Sequence, residues 1–269
     1  MRLIVVNRGA TRLAAAILGT LLVAGLAASA GRTGDQRVAA DSGDVRASVF
    51  RSAPTNRVAV SLTFDDGPDP QYTPRILDIL DRYQARATFF VLGTQAEAYP
   101  DPLQAMVRRG HEVGTHGYRH VNLTRLKPES VAAELKRADD LITAATGRRP
   151  RDLRPPYGFV NQNVLDQAGK LGYRIVLWTD EHDPRDWTRP AAAEIARRSL
   201  ERVEKGMILL LHDSGGNREQ TVRALPLILE RLQGQGYQVV TVDELLTQTA
   251  AAGVPPKEDA LHKNSTGQQ

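Results

Sequence analysis

Residues 58–92 read VAVSLTFDDGPDPQYTPRILDILDRYQARATFFVL, and their pattern decides the fold. Val58–Phe64 is a β-rich apolar run stopped by the turn formers Asp65-Asp66-Gly67-Pro68. Pro74 opens a helix whose Ile76, Leu77, Ile79, Leu80 and Tyr83 fall on one face. Ala87–Leu92 is the next strand, closed by Gly93. Strand, helix and strand within 35 residues make a parallel crossover unit, and the chain repeats it.

Further along, the pattern predicts helices around Pro102–Arg109, over Pro128–Thr146 with Gly147 as its stop, at Asn161–Leu171, Arg189–Val203 and Glu219–Gln233, and from Asp243 on. Strands are expected at Glu112–Thr115, Asp152–Arg154, Tyr173–Trp178, Met207–Leu211 and Tyr237–Val242. About seven alternations argue for an α/β fold, a (β/α) barrel in one domain. No GxGxxG follows the first strand, so a dinucleotide-binding sheet has no support.

The ends differ from this middle. Arg2, Arg8 and Arg12 precede an apolar stretch, and Ala28-Ser29-Ala30 has the form of a signal-peptidase site. Residues 1–30 are therefore expected to be a signal peptide, with a retained membrane anchor as the alternative. Residues 31–56 are rich in Gly, Asp, Arg and Ser and read as a linker. The folded domain is expected over 57–249, and 250–269 as a disordered polar tail. The protein is thus expected outside the cell or at its envelope. The formal charge of +4, less the three leader arginines, leaves +1 and no basic stripe for nucleic acid. Cysteine is absent, which excludes thiolate metal sites and disulfides. Nothing in the sequence calls for an obligate partner, so a monomer is expected.

In barrels of this kind the chemistry sits at the C-terminal ends of the strands, and five motifs fall there. Of the adjacent pair Asp65-Asp66, one carboxylate is placed to ligate a metal while its neighbour takes a proton; an Asx turn is the alternative. His116 and His120, four apart, suit two imidazole ligands to zinc beside one carboxylate, although such a pair also arises by chance on a surface. In Arg154-Pro-Pro-Tyr-Gly158 the prolines fix the backbone, so the Tyr157 N–H faces a substrate oxygen or the segment is only a rigid turn. Asp183-Pro-Arg-Asp186-Trp187 offers a carboxylate beside a flat apolar ring, a sugar platform or a core tryptophan. His212 ends the apolar run Ile208–Leu211 and suits a general acid if a carboxylate raises its pKa. His111, His182 and His262 lack such settings and read as ordinary residues. Together the motifs point to a metal-dependent hydrolase. A two-histidine, one-carboxylate iron oxygenase uses the same ligand types, but needs no acid–base pair and suits a β-rich fold.

With these motifs in order, the chain resembles the polysaccharide deacetylases of carbohydrate esterase family 4 over roughly residues 57–249. The resemblance rests on Thr63-Phe-Asp-Asp-Gly-Pro68, His116-Gly-Tyr-Arg-His120, Arg154–Gly158, Asp183–Trp187 and Ile208–His212. It implies a distorted barrel of fewer than eight units, a divalent metal, zinc before others, and removal of acetyl groups from N-acetylated sugars. Peptidoglycan or a chitin-like oligosaccharide is the expected substrate; an acetylxylan esterase or an inactive glycan-binding protein are the alternatives. Position by position it implies Asp65 as general base, Asp66, His116 and His120 as metal ligands, and Arg154 orienting Asp65. It also implies an oxyanion contact from the Tyr157 amide, Asp186 paired with His212 as general acid, and an acetyl pocket lined by Trp187 and Leu210. Two features depart from the family pattern. Gly117 stands where Ser or Thr is usual, removing a hydrogen bond that braces the metal loop. The interval from Trp178 to Asp183 is long, so Asp180, Glu181 and His182 are expected to form an extended loop beside the cleft.

Overall fold

The computed structural model describes residues 46–179 and 183–251. The expected leader lies outside them, as do Asp180–His182, most of the expected linker and all of the expected tail except Ala250 and Ala251, which belong to the last helix. The described elements run β1 (Val49–Phe50), β2 (Ala59–Asp65), α1 (Tyr72–Arg82), β3 (Thr88–Val91), α2 (Gly93–Ala98), α3 (Pro100–Arg108), β4 (Glu112–Thr115), α4 (Pro128–Thr146) and β5 (Asp152–Leu153). They continue through α5 (Gln162–Lys170), β6 (Arg174–Val176), α6 (Ala192–Ser199), β7 (Ile208–His212), α7 (Glu219–Gly234), β8 (Gln238–Val239) and α8 (Val242–Ala251). Among them, no helix is long and apolar enough to cross a membrane.

The strands form one curled parallel sheet in the order β1-β6-β5-β4-β3-β2-β7, with β8 pairing β2 to one side. The sheet curls far enough for its edges to meet. Ser52 bridges Met207, Ala53 N–H donates to Gly206 O at 2.7 Å, and Thr179 N–H donates to Ile208 O at 3.0 Å. This is the distorted (β/α) barrel expected from the alternation.

Period-two alternation divides each strand between two environments. Val60, Leu62, Phe64, Leu209 and Leu211 pack outward with Ile76 and Leu80 of α1 and Leu225 and Leu229 of α7. The intervening Ala59, Phe90, Val176 and Ile208 form an inner cluster with Val242, Leu245 and Leu246 of α8. All seven residues of β2 are buried as a result, as expected for a parallel strand covered on both faces. The N-terminus of α8 seals one barrel mouth: Val242 N–H donates to the Thr88 hydroxyl and Asp243 N–H to Glu112. The opposite mouth stays open.

The linker expected over 31–56 is corrected at its C-terminal part. Val49 and Phe50 pair with Ile175 and Val176, and Ala47 and Ala53 are buried. A two-residue strand among Arg and Ser has too few apolar positions to show a period. Residues 93–98 form a helix the pattern did not announce, since GTQAEA carries no apolar stripe. The helix expected over Arg189–Val203 is confined to Ala192–Ser199. It cannot begin earlier because Arg189 is left-handed (φ 61°) and Pro190 follows it.

Candidate active site

At the open mouth, strand register sets the first contacts. Asp65 ends β2 at the level of His212, which ends the adjacent β7. Asp65 and Thr63 lie on the inner side of β2, and Arg154 reaches both from the end of β5. Its Nη1 donates to Asp65 Oδ1 at 2.8 Å and to the Thr63 hydroxyl at 2.7 Å. Its Nε and Nη2 donate to the Val176 and Leu177 carbonyls, and its guanidinium covers the Phe90 ring at 4.1 Å. Arg154 is fully buried, yet each of its nitrogens has a partner. This bonding makes a buried charge tolerable and fixes the plane of the Asp65 carboxylate. Burial pushes the Asp65 carboxyl above its ordinary value, while Arg154 and then His212 oppose that rise. The group is thus a stronger base than a surface aspartate.

Asp66 takes a left-handed conformation (φ 75°) that turns its carboxylate away from Arg154 and toward the two histidines. Its Oδ1 lies 3.6 Å from His116 Nε2 and 3.5 Å from His120 Nε2. The three ligating atoms fall within 4.8 Å of one another. Zinc bond lengths of about 2.0–2.1 Å give a tetrahedral edge of about 3.3 Å, close to the two shorter distances. Two further features fit a cation. Asp66 Oδ1 is buried with no hydrogen-bond partner in the structure. His116 Nδ1 lies 2.6 Å from the Arg154 carbonyl, so it carries the proton and leaves the Nε2 lone pair toward Asp66. Burial drives His116 down to about 3, so the ring is neutral as a ligand requires.

The loop carrying these histidines is braced despite Gly117. Gly117 is itself left-handed (φ 84°), a conformation glycine adopts without strain. Its N–H donates to the Thr115 hydroxyl at 3.2 Å and its carbonyl accepts from Gly93 at 2.9 Å. Arg119 N–H donates to Glu134 at 3.0 Å.

His212 stands across the cleft. Asp186, almost wholly buried, binds it twice: Oδ1 is 2.7 Å from Nδ1, and Oδ2 accepts the His212 N–H at 2.9 Å. The Thr221 hydroxyl donates to the same Oδ2 at 2.8 Å. Burial alone would lower the His212 pKa, but Asp186, with Asp65 and Asp66 behind it, pushes it up to about 9. Burial works against the Asp186 carboxylate too; the His212 charge and hydrogen bond outweigh it and hold the pKa below the ordinary value.

A cleft of about 650 Å³ joins these groups, with Tyr157, Trp187 and Leu210 in its lining. Every site residue expected from the sequence therefore lies in this cleft or against it. Tyr157 is left-handed (φ 65°, ψ 2°), and Trp187 is half-exposed. Asp183 also lines the cleft, and its Oδ1 accepts the Arg185 N–H at 2.8 Å.

Several lining residues carried no sequence signal of function. Leu92 and Gln95 enter from the β3–α2 junction, and Trp178 from just beyond β6. Gly158 (φ 68°) sits so close to Trp178 that a Cβ would come within 2.7 Å of the ring. Arg218, buried, donates to the Ser214 and Gly215 carbonyls and so holds the turn after His212 beside Asp66. Asp213, next to His212, accepts from the Thr73 hydroxyl beneath the Asp65–Pro68 turn, where burial pushes its carboxyl up to about 7. Gly67 leaves the space that Asp213 occupies.

Comparison with known proteins finds relatives for most of the chain. The polysaccharide deacetylase family model matches residues 52–176. A peptidoglycan-N-acetylglucosamine deacetylase of Bacillus cereus is 39% identical over 193 residues, covering 72% of this chain and 90% of the relative. A chitooligosaccharide deacetylase of Bradyrhizobium is 39% identical over 199 residues, covering 70% and 90%. Among solved structures, the Bc1960 peptidoglycan N-acetylglucosamine deacetylase superposes with a TM-score of 0.71 at 33% identity, covering 74% of this chain and 92% of that one.

Proposed function

The chain belongs to the polysaccharide deacetylase family, and from that we propose that it hydrolyses N-acetyl groups on an extracellular polysaccharide, peptidoglycan ahead of chitin-like oligosaccharides. One observation carries the reading: the partnerless Asp66 Oδ1 faces two imidazole nitrogens, with a buried carboxylate on one side and a carboxylate-bound histidine on the other. The substrate follows from the relatives, which are named for peptidoglycan and chitooligosaccharide.

Asp66, His116 and His120 hold a divalent metal, zinc in our reading. Zinc in such a site lowers the pKa of a bound water to about 7 and polarises a carbonyl. The residues around it supply the rest. Asp65, ionised and fixed by Arg154, takes the proton from the attacking water. The Tyr157 amide, set by its left-handed backbone at the cleft wall, donates to the oxyanion; one such donor is worth about 2.7–4 kcal/mol. His212, protonated at neutral pH and held by Asp186, protonates the leaving amine. Leu210 and Trp187 exclude water around the acetyl methyl. Residues 1–30 serve in export or anchoring, which would place the enzyme at the cell envelope; a monomer is our separate expectation.

The test is acetate release from N-acetylated chito-oligosaccharides and peptidoglycan by chelator-treated protein, with and without added zinc. Zinc-restored release that is lost in Asp65→Asn is expected. Unchanged activity in that variant would remove the base from its role. Glycan binding without acetate release under any metal would instead mark an inactive binding protein.

A further inference from the structure

Resting on the deacetylase reading, we propose that Tyr157 and Phe159 form an aromatic platform for the sugar next to the acetylated unit. The site then recognises at least two linked sugars of a glycan chain. Exposed apolar side chains scattered singly are ordinary, but a cluster of large exposed aromatic rings beside a cleft marks an interaction site. Among the described residues four aromatic side chains are exposed, and three of them gather at this mouth: Tyr157 at 54%, Phe159 at 47% and Trp187 at 53%. Tyr157 and Trp187 line the cleft, whereas Phe159 lies outside it.

The rings form a continuous line leading away from the metal ligands. The His120 and Tyr157 centroids are 4.5 Å apart, edge to face, and Tyr157 and Phe159 are stacked at 5.8 Å with planes 29° apart. The backbone beneath them is rigid. Pro155 and Pro156 precede two consecutive left-handed residues, Tyr157 and Gly158. Gly158 N–H donates to Pro155 O at 2.9 Å, and Gly158 itself abuts Trp178. Arg154 anchors one end of the segment in the barrel. Asn161 anchors the other, accepting from Val164 N–H and donating to the Thr124 carbonyl. Two rings held in place this firmly are a built surface.

The chemistry selects a pyranose as the occupant. A pyranose presents axial C–H bonds on its faces and hydroxyls around its edge, so it stacks on a flat ring while keeping its hydroxyls in water. Two rings are too small a patch for a stable protein interface, which needs roughly 800 Å² from each partner. They are continuous with a cleft that already takes one sugar, and the next unit of the same chain passes over them.

The experiment compares Phe159→Ala with the parent on substrates of two lengths. We expect kcat/KM for N-acetylated chitotetraose to fall about tenfold, mainly through KM, as the exposed ring face loses its apolar contact. Acetate release from 4-nitrophenyl acetate should stay within twofold, and Phe159→Trp should restore the tetramer activity. Equal losses on both substrates, or no change on the tetramer, would overturn the platform. If the parent releases no acetate at all, the deacetylase reading fails. Calorimetric binding of the tetramer to Asp65→Asn protein then judges the platform alone: an affinity unchanged by Phe159→Ala, or no binding, overturns it.

Discussion

Replacing Asp186 by Asn should move the alkaline limb of activity down by more than two pH units. In the structure His212 is pushed from an ordinary 6.5 up to about 9, although burial alone would lower it. At 1.36 kcal/mol per pH unit the gap corresponds to about 3 kcal/mol favouring the imidazolium. Asp186 is the principal source, since it lies 2.7 Å from Nδ1 and is itself almost fully buried. With a pKa near 9, most of His212 is protonated at pH 7.5; at an ordinary 6.5 only about a tenth would be. The asparagine keeps a carbonyl oxygen for the His212 N–H or the Thr221 hydroxyl, so the loop keeps most of its bonding. The charge is lost. A general acid must be protonated to act, so activity falls as pH rises through its pKa. We expect kcat/KM in the parent to decline near pH 9 and in Asp186→Asn at or below pH 6.5. The His212 Cε1–H resonance, followed by NMR over the same range, should shift with each limb and so separate this titration from that of any bound water. A limb that stays near 9 in the variant, or a parent His212 titrating near 6.5, would refute the pairing as the source of acid strength.

Zinc at about 100 times its Kd should raise the unfolding free energy by about 2.7 kcal/mol. Thermal unfolding of Asp66→Asn should show that increment largely gone, and equal stabilisation of both proteins would place the cation elsewhere. Gly158→Ala forces a side chain into a left-handed residue (φ 68°) and against Trp178. It should cost about 1–3 kcal/mol in urea denaturation, and a neutral result would mean that the wall yields. His111 is buried, with Nδ1 accepting the Ala87 N–H, and burial lowers its pKa from 6.5 to about 4. Its folded pKa lies below the unfolded one, so its contribution to stability is complete above pH 6.5 and is lost as pH falls toward 4. That loss is about 3 kcal/mol at 1.36 kcal/mol per pH unit. The stability difference between parent and His111→Asn should therefore change only inside that window, and a constant difference across it would refute the assignment.

The sequence was most legible where local pattern, turn formers and caps mark an element on both sides. Glu112–Thr115 and Pro128–Thr146 appear in the fold with the bounds that pattern and caps suggested. It was least legible where an element is held by its neighbours. Val49–Phe50 is a strand because Ile175 and Val176 offer it an edge, and α2 is a helix although no apolar stripe marks it. The site divides in the same way. Histidines and carboxylates at strand ends announce themselves by residue type. Trp178 and Arg218 do not, because their place in the cleft depends on contacts with Gly158 and with the carbonyls of Ser214 and Gly215.

Asp65 and Asp66 show where residue type stops and backbone begins. The two side chains are identical, so their chemistry alone cannot say which binds a proton and which faces the histidines. Strand parity decides the first. Counting back from Asp65, Thr63 shares the inner side of β2, and both meet the buried Arg154 guanidinium. A carboxylate so paired has one oxygen committed and a fixed plane. The second is decided by the turn. Asp66 leaves the extended region for φ 75°, which swings its carboxylate to the other side of the chain, toward His116 and His120. Gly67 follows because a larger residue would strike Asp213, the neighbour of His212. The turn that separates the two aspartates is thus held by the strand that carries the histidine opposite them. Geometry at one rim depends on the packing of β2 against β7, and the two halves of the cleft are built as one unit.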